Sequence, residues 1–280
     1  MRRTESWIMI GMLTSIVGIT AVKAQQKDPD SLLALKEFAH LGQMYHHPSV
    51  RLMIHMEQTS NLPTRTTDSL QTDMDLYYGK PDFYMNAEGL EEISNDSVLV
   101  MVNRPAKRMI VSRHDHQVSS SIERTISMFV PDSSIQALAK RYNSTIENAS
   151  GGKKQLTLTS RELVYGTDIP RETVRAIYSP SSYDLVEFKQ IKTSLVPVDA
   201  AVFDSLQKEQ AYRGKLVSSS TNKGKLFFLT KQLTIACRFD KIDYELKRPP
   251  VTEADRIERM ADGNYKPAKG FEEYILTDQF

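Results

Sequence analysis

The sequence contains one cysteine, Cys237, among its 280 residues, so it can form no intramolecular disulfide. Exported proteins with several cysteines commonly stabilise themselves with disulfides, whereas this chain must rely on its hydrophobic core. Cys237 lies within an apolar run, which is typical of a buried and unreactive thiol.

The sequence also lacks an excess of either charge. It has 36 basic and 35 acidic residues and a net charge of +1. The first 24 residues carry Arg2, Arg3 and Lys23 against Glu5, a net charge of +2, which leaves about −1 for the remainder. A nucleic-acid-binding surface needs a concentration of basic residues, so nucleic acid is not an expected partner.

Motifs that identify common enzyme sites are absent as well. The chain contains no GxxxxGKS/T, GxGxxG, HExxH, CxxC or GxSxG pattern. The serines at 119–121 and 218–220 lie in polar turns without the context of a catalytic serine. The adjacent acids at 91–92 and 272–273 project to opposite faces of a strand, which predicts solvated charges rather than an acid–base pair. We therefore expect no enzymatic activity and no cofactor.

Histidines provide an alternative to that expectation. His114 and His116 project from one side of an extended segment, and His46, His47 and His55 supply further imidazoles. A zinc site needs three or four converging ligands, which are themselves held by hydrogen bonds. Nothing in the sequence makes these histidines converge. A metalloenzyme that uses His114 and His116 is the less favoured alternative, and no metal site is predicted.

The N-terminus has the features of a secretory signal peptide. Two arginines precede the mostly apolar segment Trp7–Val22, and Val22 and Ala24 stand at positions −3 and −1 of a cut before Gln25. The apolar segment is short for a transmembrane helix, and an uncleaved anchor is the alternative. We predict a signal peptide at 1–24, a single domain at 25–280 in a Gram-negative periplasm, and no stable transmembrane span after cleavage.

Residues 70–112 have the pattern of several short strands joined by tight turns. From Leu70 to Tyr78 apolar and polar residues alternate with the period of two that half-buried strands show. Turn sequences follow at 79–81, 95–96 and 103–105, with apolar segments between them. Strands this close in sequence must be antiparallel, because a parallel pair needs a long crossover.

An amphipathic helix precedes these strands. Asp28 and Pro29 form a helix start, and apolar residues recur at helical spacing from Leu32 to Tyr45. A strand is predicted at 50–58. Farther along, the patterns predict a helix from Asp132 or Ser133 through Tyr142, a strand at 156–163, a hairpin at 173–189, a helix at 200–212, and strands at 226–240 and 271–276.

The order of these elements resembles the LolA/LolB-like superfamily of periplasmic lipoprotein carriers, which includes RseB-like sensor domains. The resemblance rests on the helix at 32–45, the strand at 50–58 and the segments 84–88, 98–103 and 107–111. It implies a mainly β (α+β) fold. The expected form is a strongly curved antiparallel sheet, or half-open barrel, whose concave face is covered by an N-terminal helix and one or two short helices. In that superfamily the cavity takes lipoprotein acyl chains or other lipids, and an arginine, for which Arg51 and Arg113 are candidates, helps hold the helices shut.

Nine apolar residues of the predicted strands form the candidate ligand-binding face. If the strands pair as predicted, these residues share one side of the sheet: Leu52, Ile54, Met56, Met74, Leu76, Tyr78, Phe83, Met85 and Met109. Methionine suits a surface that accepts variable apolar shapes, and a sheet covered by helices is a common ligand site. An ordinary packed core needs the same residues and is the structural alternative.

The sequence therefore favours a periplasmic, non-enzymatic binding protein for an apolar ligand, such as a lipid or a lipoprotein acyl chain. The alternative is a sensor or interaction module of the same fold, whose cavity is filled by its own side chains. Such a module binds an envelope protein partner through a sheet edge or a loop. The two differ in whether the apolar face leaves space for a ligand.

Overall fold

A computed structural model describes residues 29–42, 44, 47–62, 68–113, 132–165, 167–221 and 224–279 of the chain. Within these residues, helices α1, α2 and α3 comprise Pro29–Leu41, Asp132–Arg141 and Ala200–Leu206. All three occur where the sequence predicts a helix, although α3 is shorter than the predicted 200–212. The predicted signal peptide and the residues His114 and His116 lie outside the described residues.

Fifteen strands occur in the described part of the chain. They are β1 Val50–Ser60, β2 Leu70–Gly79, β3 Asp82–Ala87, β4 Leu90–Ser94, β5 Val98–Asn103, β6 Arg108–Arg113, β7 Tyr142–Asn148, β8 Lys154–Ser160, β9 Glu172–Tyr178, β10 Leu185–Val198, β11 Leu216–Thr221, β12 Gly224–Asp243, β13 Ile257–Arg259, β14 Tyr265–Pro267 and β15 Ile275–Gln279.

Thirteen of these strands form one large curved sheet, and β13 and β14 form a separate hairpin. The order along the sheet is β15-β6-β5-β4-β3-β2-β1-β12-β10-β9-β8-β7, with β11 paired to β12 beside this path. Strand β12 joins the two halves of the chain because it pairs with β1 on one side and β10 on the other. The predicted mainly β fold, built on a curved and largely antiparallel sheet, is confirmed.

Two details differ from the sequence prediction. Strand β15 runs parallel to β6, with Ile275 opposite Arg108. The long chain between these strands supplies the crossover that a parallel pair requires. Tyr142, predicted as the last helical residue of α2, instead begins β7 and is buried beneath the helices. Its apolar ring therefore belongs to the sheet side of the same core.

Two turn lengths determine which side chains face each side of the first half of the sheet. Strands β3 and β4 are joined by the two-residue turn Glu88–Gly89, in which both residues have positive φ, 53° and 80°. This conformation matches the right-handed twist of a hairpin, and glycine adopts it without strain. Strands β5 and β6 are joined by the four-residue turn 104–107, across which Asn103 pairs with Arg108. The turns thereby fix the register of β3 to β6.

One side of the sheet, the helix face, carries Leu52, Leu76, Leu156 and Ala176. Helices α1 and α2 pack on this face over β7, β8 and β9. The buried members of this cluster are Leu35, Phe38, Leu41, Ile135, Tyr142, Leu156, Leu158, Val174, Ala176 and Tyr178. The predicted placement of helices against one face of the sheet is therefore confirmed for α1 and α2.

The opposite side, the C-terminal face, carries Tyr77, Tyr84, Val100 and Met109. Residues between 246 and 276 pack on it over β2 to β6. This cluster consists of Tyr77, Tyr84, Ile93, Val98, Val100, Val102, Met109, Val111 and Ile257, with Leu246, Val251, Tyr265, Phe271, Tyr274 and Leu276 packed against them. The two faces are thus covered at opposite ends of the sheet.

A buried ion-pair network ties the C-terminal segment to its face. Glu91 of β4 is 3% exposed and accepts hydrogen bonds from Arg256 Nε at 2.6 Å and Arg104 Nε at 2.8 Å. Arg256 is also buried, and its guanidinium carbon lies 4.7 Å from the centre of the Phe271 ring. Because the Glu91 carboxylate compensates the buried guanidinium group of Arg256, removing that carboxylate would leave a buried charge without its partner.

We predict that Glu91→Ala lowers the free energy of unfolding by about 3–5 kcal/mol, because Arg256 is left as a buried, unpaired charge. Urea unfolding followed by circular dichroism measures the loss. The matched control is Glu273→Ala, which removes the exposed ion pair with Lys107 and is expected to cost about 1 kcal/mol or less. Similar small losses in both variants would contradict the anchoring role of Glu91.

Candidate functional site

Eight of the nine predicted ligand-binding residues lie on the helix face. The register places them as neighbours across three adjacent strands: Leu52, Ile54 and Met56 from β1, Met74, Leu76 and Tyr78 from β2, and Phe83 and Met85 from β3. The strand pairing assumed from the sequence is therefore correct for β1 to β3, and it brings these side chains to one surface.

Met109 does not share that surface. It pairs with Val102 on the C-terminal face, where it is fully buried in the cluster that contains Ile257. The four-residue turn between β5 and β6 sets this register and places Ile110, opposite Met101, on the helix face instead. The prediction that Met109 shares the candidate ligand-binding face is therefore wrong, and its neighbour Ile110 takes that place. A shift of one residue along a strand moves a side chain to the opposite face of the sheet.

Part of the predicted set belongs to the packed core. Leu52 is fully buried in a cluster with Met44 and Val50, and Ile54, Leu76 and Tyr78 pack against that cluster from the same face. Other members are different. Met74 and Met85 are only half-buried and belong to none of the three core clusters of the described residues.

The half-buried apolar surface continues beyond the predicted residues. Leu99 and Met101 of β5 and Ile110 of β6 also lie on the helix face, and none of them belongs to a core cluster of the described chain. Sequence reasoning missed them because 98–102 is a continuous apolar run, in which alternation is not visible. The predicted turn at 103–105 marks the end of this strand and could have resolved the ambiguity. Every second residue before that end faces the same side of the sheet, which places Leu99 and Met101 on one face.

One cross-strand row runs over this surface. We define the methionine row as the successive register partners Leu76, Met85, Glu92, Met101 and Ile110, one from each strand from β2 to β6. All five side chains are half-buried. Neighbouring strands are about 4.8 Å apart, so the row is about 19 Å long. It is an apolar track with one carboxyl group at its centre.

Glu92 and its neighbour Glu91 have opposite environments. Their side chains project to opposite faces as predicted, but the prediction that both are solvated charges is wrong. Glu91 is buried between two arginines, whereas Glu92 is half-buried and forms no hydrogen bond or ion pair with the side chains that the structure describes. Burial raises the pKa of the Glu92 carboxyl above its ordinary value. Glu92 is therefore a desolvated acid on an apolar surface.

Other candidate groups lie away from the methionine row. Arg51 forms a two-point ion pair with Asp75, with nitrogen–oxygen distances of 2.8 Å and 2.6 Å, on the C-terminal face. Arg113, opposite Val98, is on that face too. Both candidate arginines therefore lie on the face of the sheet opposite helices α1 and α2. His55 Nδ1 is 2.6 Å from Asp73 Oδ1, and the described residues contain no group of three or more potential metal ligands.

Cys237 lies on the helix face, opposite Met56, and is half-buried. Burial raises the pKa of its thiol to about 11, so the thiol stays protonated at neutral pH. The prediction of an unreactive cysteine agrees with this environment. Among the described helices, none has the length and apolar character needed to span a bilayer.

Comparisons with known proteins yield matches in structure only. No protein-family model matches the sequence, and no curated protein matches it significantly. An uncharacterized conserved protein from Thermus thermophilus shares 8% identity at a TM-score of 0.35, over 87% of this chain and 98% of that one. A LolA superfamily protein from Nitrosomonas europaea shares 11% identity at a TM-score of 0.26, over 80% of this chain and 96% of that one.

A third match is the MucA/MucB complex of Pseudomonas aeruginosa, with 9% identity and a TM-score of 0.23 over 74% of this chain and 93% of that one. The matches thus include the superfamily that the sequence resembles. At these identities and TM-scores the matches carry no functional conclusion.

We predict that Glu92→Gln raises the free energy of unfolding at neutral pH, because glutamine removes a desolvated, unpaired charge. The raised pKa means that the folded state holds the Glu92 proton more tightly than the unfolded chain does. The contribution of this carboxyl to stability is therefore complete below the ordinary glutamate range, about pH 4, and is lost as the pH rises through the folded-state pKa.

Urea unfolding at several pH values should show the largest stabilisation by Glu92→Gln at neutral pH and none under acid conditions. The control is Glu57→Gln, which makes the same chemical change at an exposed position on the C-terminal face and should have no such effect. A difference that stays constant with pH, or a destabilised Glu92→Gln protein, would contradict the environment assigned to Glu92.

Proposed function

We propose that this chain is an exported, periplasmic binding protein that holds an apolar ligand, a lipid or a lipoprotein acyl chain, along the methionine row. Residues 1–24 serve as the signal peptide, and residues 25–280 form one domain. Binding of this kind needs no catalytic group and no cofactor, because burial of apolar surface supplies the driving force.

The observation that carries the proposal is the uneven covering of the helix face. Helices α1 and α2 cover β7 to β9, and the C-terminal segment covers the other side of β2 to β6. The helix-face side chains Met74, Met85, Leu99, Met101 and Ile110 remain half-buried and outside the described core clusters. Contiguous apolar surface that a protein leaves incompletely buried commonly marks a binding site.

The residue types at this surface suit a ligand of variable shape. Methionine is unbranched and polarizable, so Met74, Met85 and Met101 can adjust to different apolar chains. Full burial of one such side chain contributes about 1.5–3 kcal/mol, so completing the burial of the four half-buried apolar side chains in the row contributes about 3–6 kcal/mol. Burial of the ligand's own surface adds to this and offsets the cost of immobilising the ligand.

Native mass spectrometry of the protein purified gently from the periplasm of its own host tests the proposal. The expected result is a bound mass that corresponds to an acyl-chain compound. Met85→Asp replaces an apolar contact of the row with a hydrated carboxylate against which an alkyl chain cannot pack, so it should abolish the bound mass in a protein that still folds. The control is Met53→Asp, at a methionine of β1 that is 42% exposed on the C-terminal face and should retain the ligand.

A mass without ligand, together with failure to take up added lipid, would contradict the carrier function and favour the interaction module instead. Loss of the ligand in both methionine variants would also contradict the assignment to the helix face. Circular dichroism spectra of all three proteins establish that each is folded before the masses are compared.

A further inference from the structure

The two strands that flank Glu92 place only uncharged side chains beside it on the helix face. Its register partners are Met85 on β3 and Met101 on β5. The remaining side chains that face it from these two strands are also uncharged: Phe83, Ala87, Leu99 and Asn103. A half-buried carboxylate in such surroundings loses hydration and receives no compensating charge.

On the opposite face of the same strand, a buried carboxylate is paired with cations. One residue earlier, Glu91 is held by both Arg256 and Arg104. No comparable cation lies within ion-pair distance of Glu92 in the described part of the protein. A positively charged hydrogen-bond donor would supply the partner that Glu92 lacks among the described residues, and the apolar side chains on either side would contact an alkyl chain attached to that donor.

We propose that the ligand of the methionine row is a cationic amphiphile, whose protonated amine pairs with the Glu92 carboxylate while its alkyl or acyl chain lies along the row. This inference rests on the proposed function, which supplies the apolar chain, and it adds the chemistry of the head group. A charge-assisted hydrogen bond in a partly desolvated setting is stronger than one in water.

The central position of Glu92 distinguishes this ligand from other amphiphiles. An anionic head group placed there is repelled by the carboxylate, and a neutral hydroxyl leaves the negative charge without a counterion. A protonated amine satisfies both the charge and the hydrogen-bonding capacity of the carboxylate. The row on each side of Glu92 spans two strands, so a chain that extends from the amine contacts either Leu76 and Met85 or Met101 and Ile110.

Isothermal titration calorimetry with three probes of equal chain length tests the head group. The probes are dodecylamine, dodecanol and dodecanoate at neutral pH, where the amine is protonated. The two ionic probes are used below their critical micelle concentrations, and all three are used below their solubility limits. Because a hydrogen bond to a charged group contributes about 1.5–3 kcal/mol, dodecylamine should bind about tenfold to hundredfold more tightly than dodecanol. Dodecanoate should bind most weakly.

Glu92→Gln removes the charge of the carboxylate and leaves the apolar surface around it unchanged. In this variant dodecylamine should fall to the affinity of dodecanol, while the affinity for dodecanol itself is retained. Glu57→Gln is the control, because it removes the same charge from the opposite face of the sheet and should preserve the preference for the amine.

The outcomes distinguish this inference from the proposed function. If dodecanol and dodecylamine bind the wild-type protein equally, or if the preference for the amine persists in Glu92→Gln, the cationic ligand is refuted and the apolar site stands. If none of the three probes binds the wild-type protein, the apolar site itself is refuted, and the inference about its head group fails with it.

Discussion

The buried pairing of Glu91 with Arg256 and Arg104 is the interaction on which the arrangement of this protein depends. It joins two parts of the chain that are 165 positions apart, and it lies on one face of the sheet only. With Arg256 held there, Ile257 and Phe271 pack over the tyrosines and valines of β2 to β6. That face is closed by the protein itself, so the same strands can present only their helix face to a ligand.

Because side chains alternate between the two faces of a strand, two adjacent residues of β4 have different roles. Glu91 stabilises the fold on one face, and Glu92 belongs to the proposed binding surface on the other. Glu91 and Glu92 have the same chemistry, yet Glu91 is buried with two cations, whereas Glu92 is half-buried and has no cation beside it in the described part of the chain. The difference follows from the direction in which each side chain projects. A buried carboxylate with cations stabilises the fold, whereas a desolvated carboxylate without them costs stability, and such a cost is commonly found at binding sites.

Local patterns in the sequence account for much of the fold. The helices, the turns after Tyr78 and Asn103 and the strands between them follow from spacing and turn chemistry. The same patterns predict the face that eight of the nine candidate ligand-binding residues share. Local patterns do not reveal which strands pair across long sequence distances, or which residues of a continuous apolar run face which side of the sheet. The parallel contact of β15 with β6, the partners of Glu91 and the face of Met109 each depend on one of these.

The central claim is that an apolar ligand lies on the helix face of β2 to β6, and thiol protection tests it most directly. Met85→Cys and Met53→Cys, each combined with Cys237→Ser, place one thiol on the helix face or on the C-terminal face. The rate of modification by N-ethylmaleimide is then measured with and without dodecylamine. The account predicts slower modification at position 85 and an unchanged rate at position 53. An unchanged rate at position 85, or equal slowing at both positions, would contradict it.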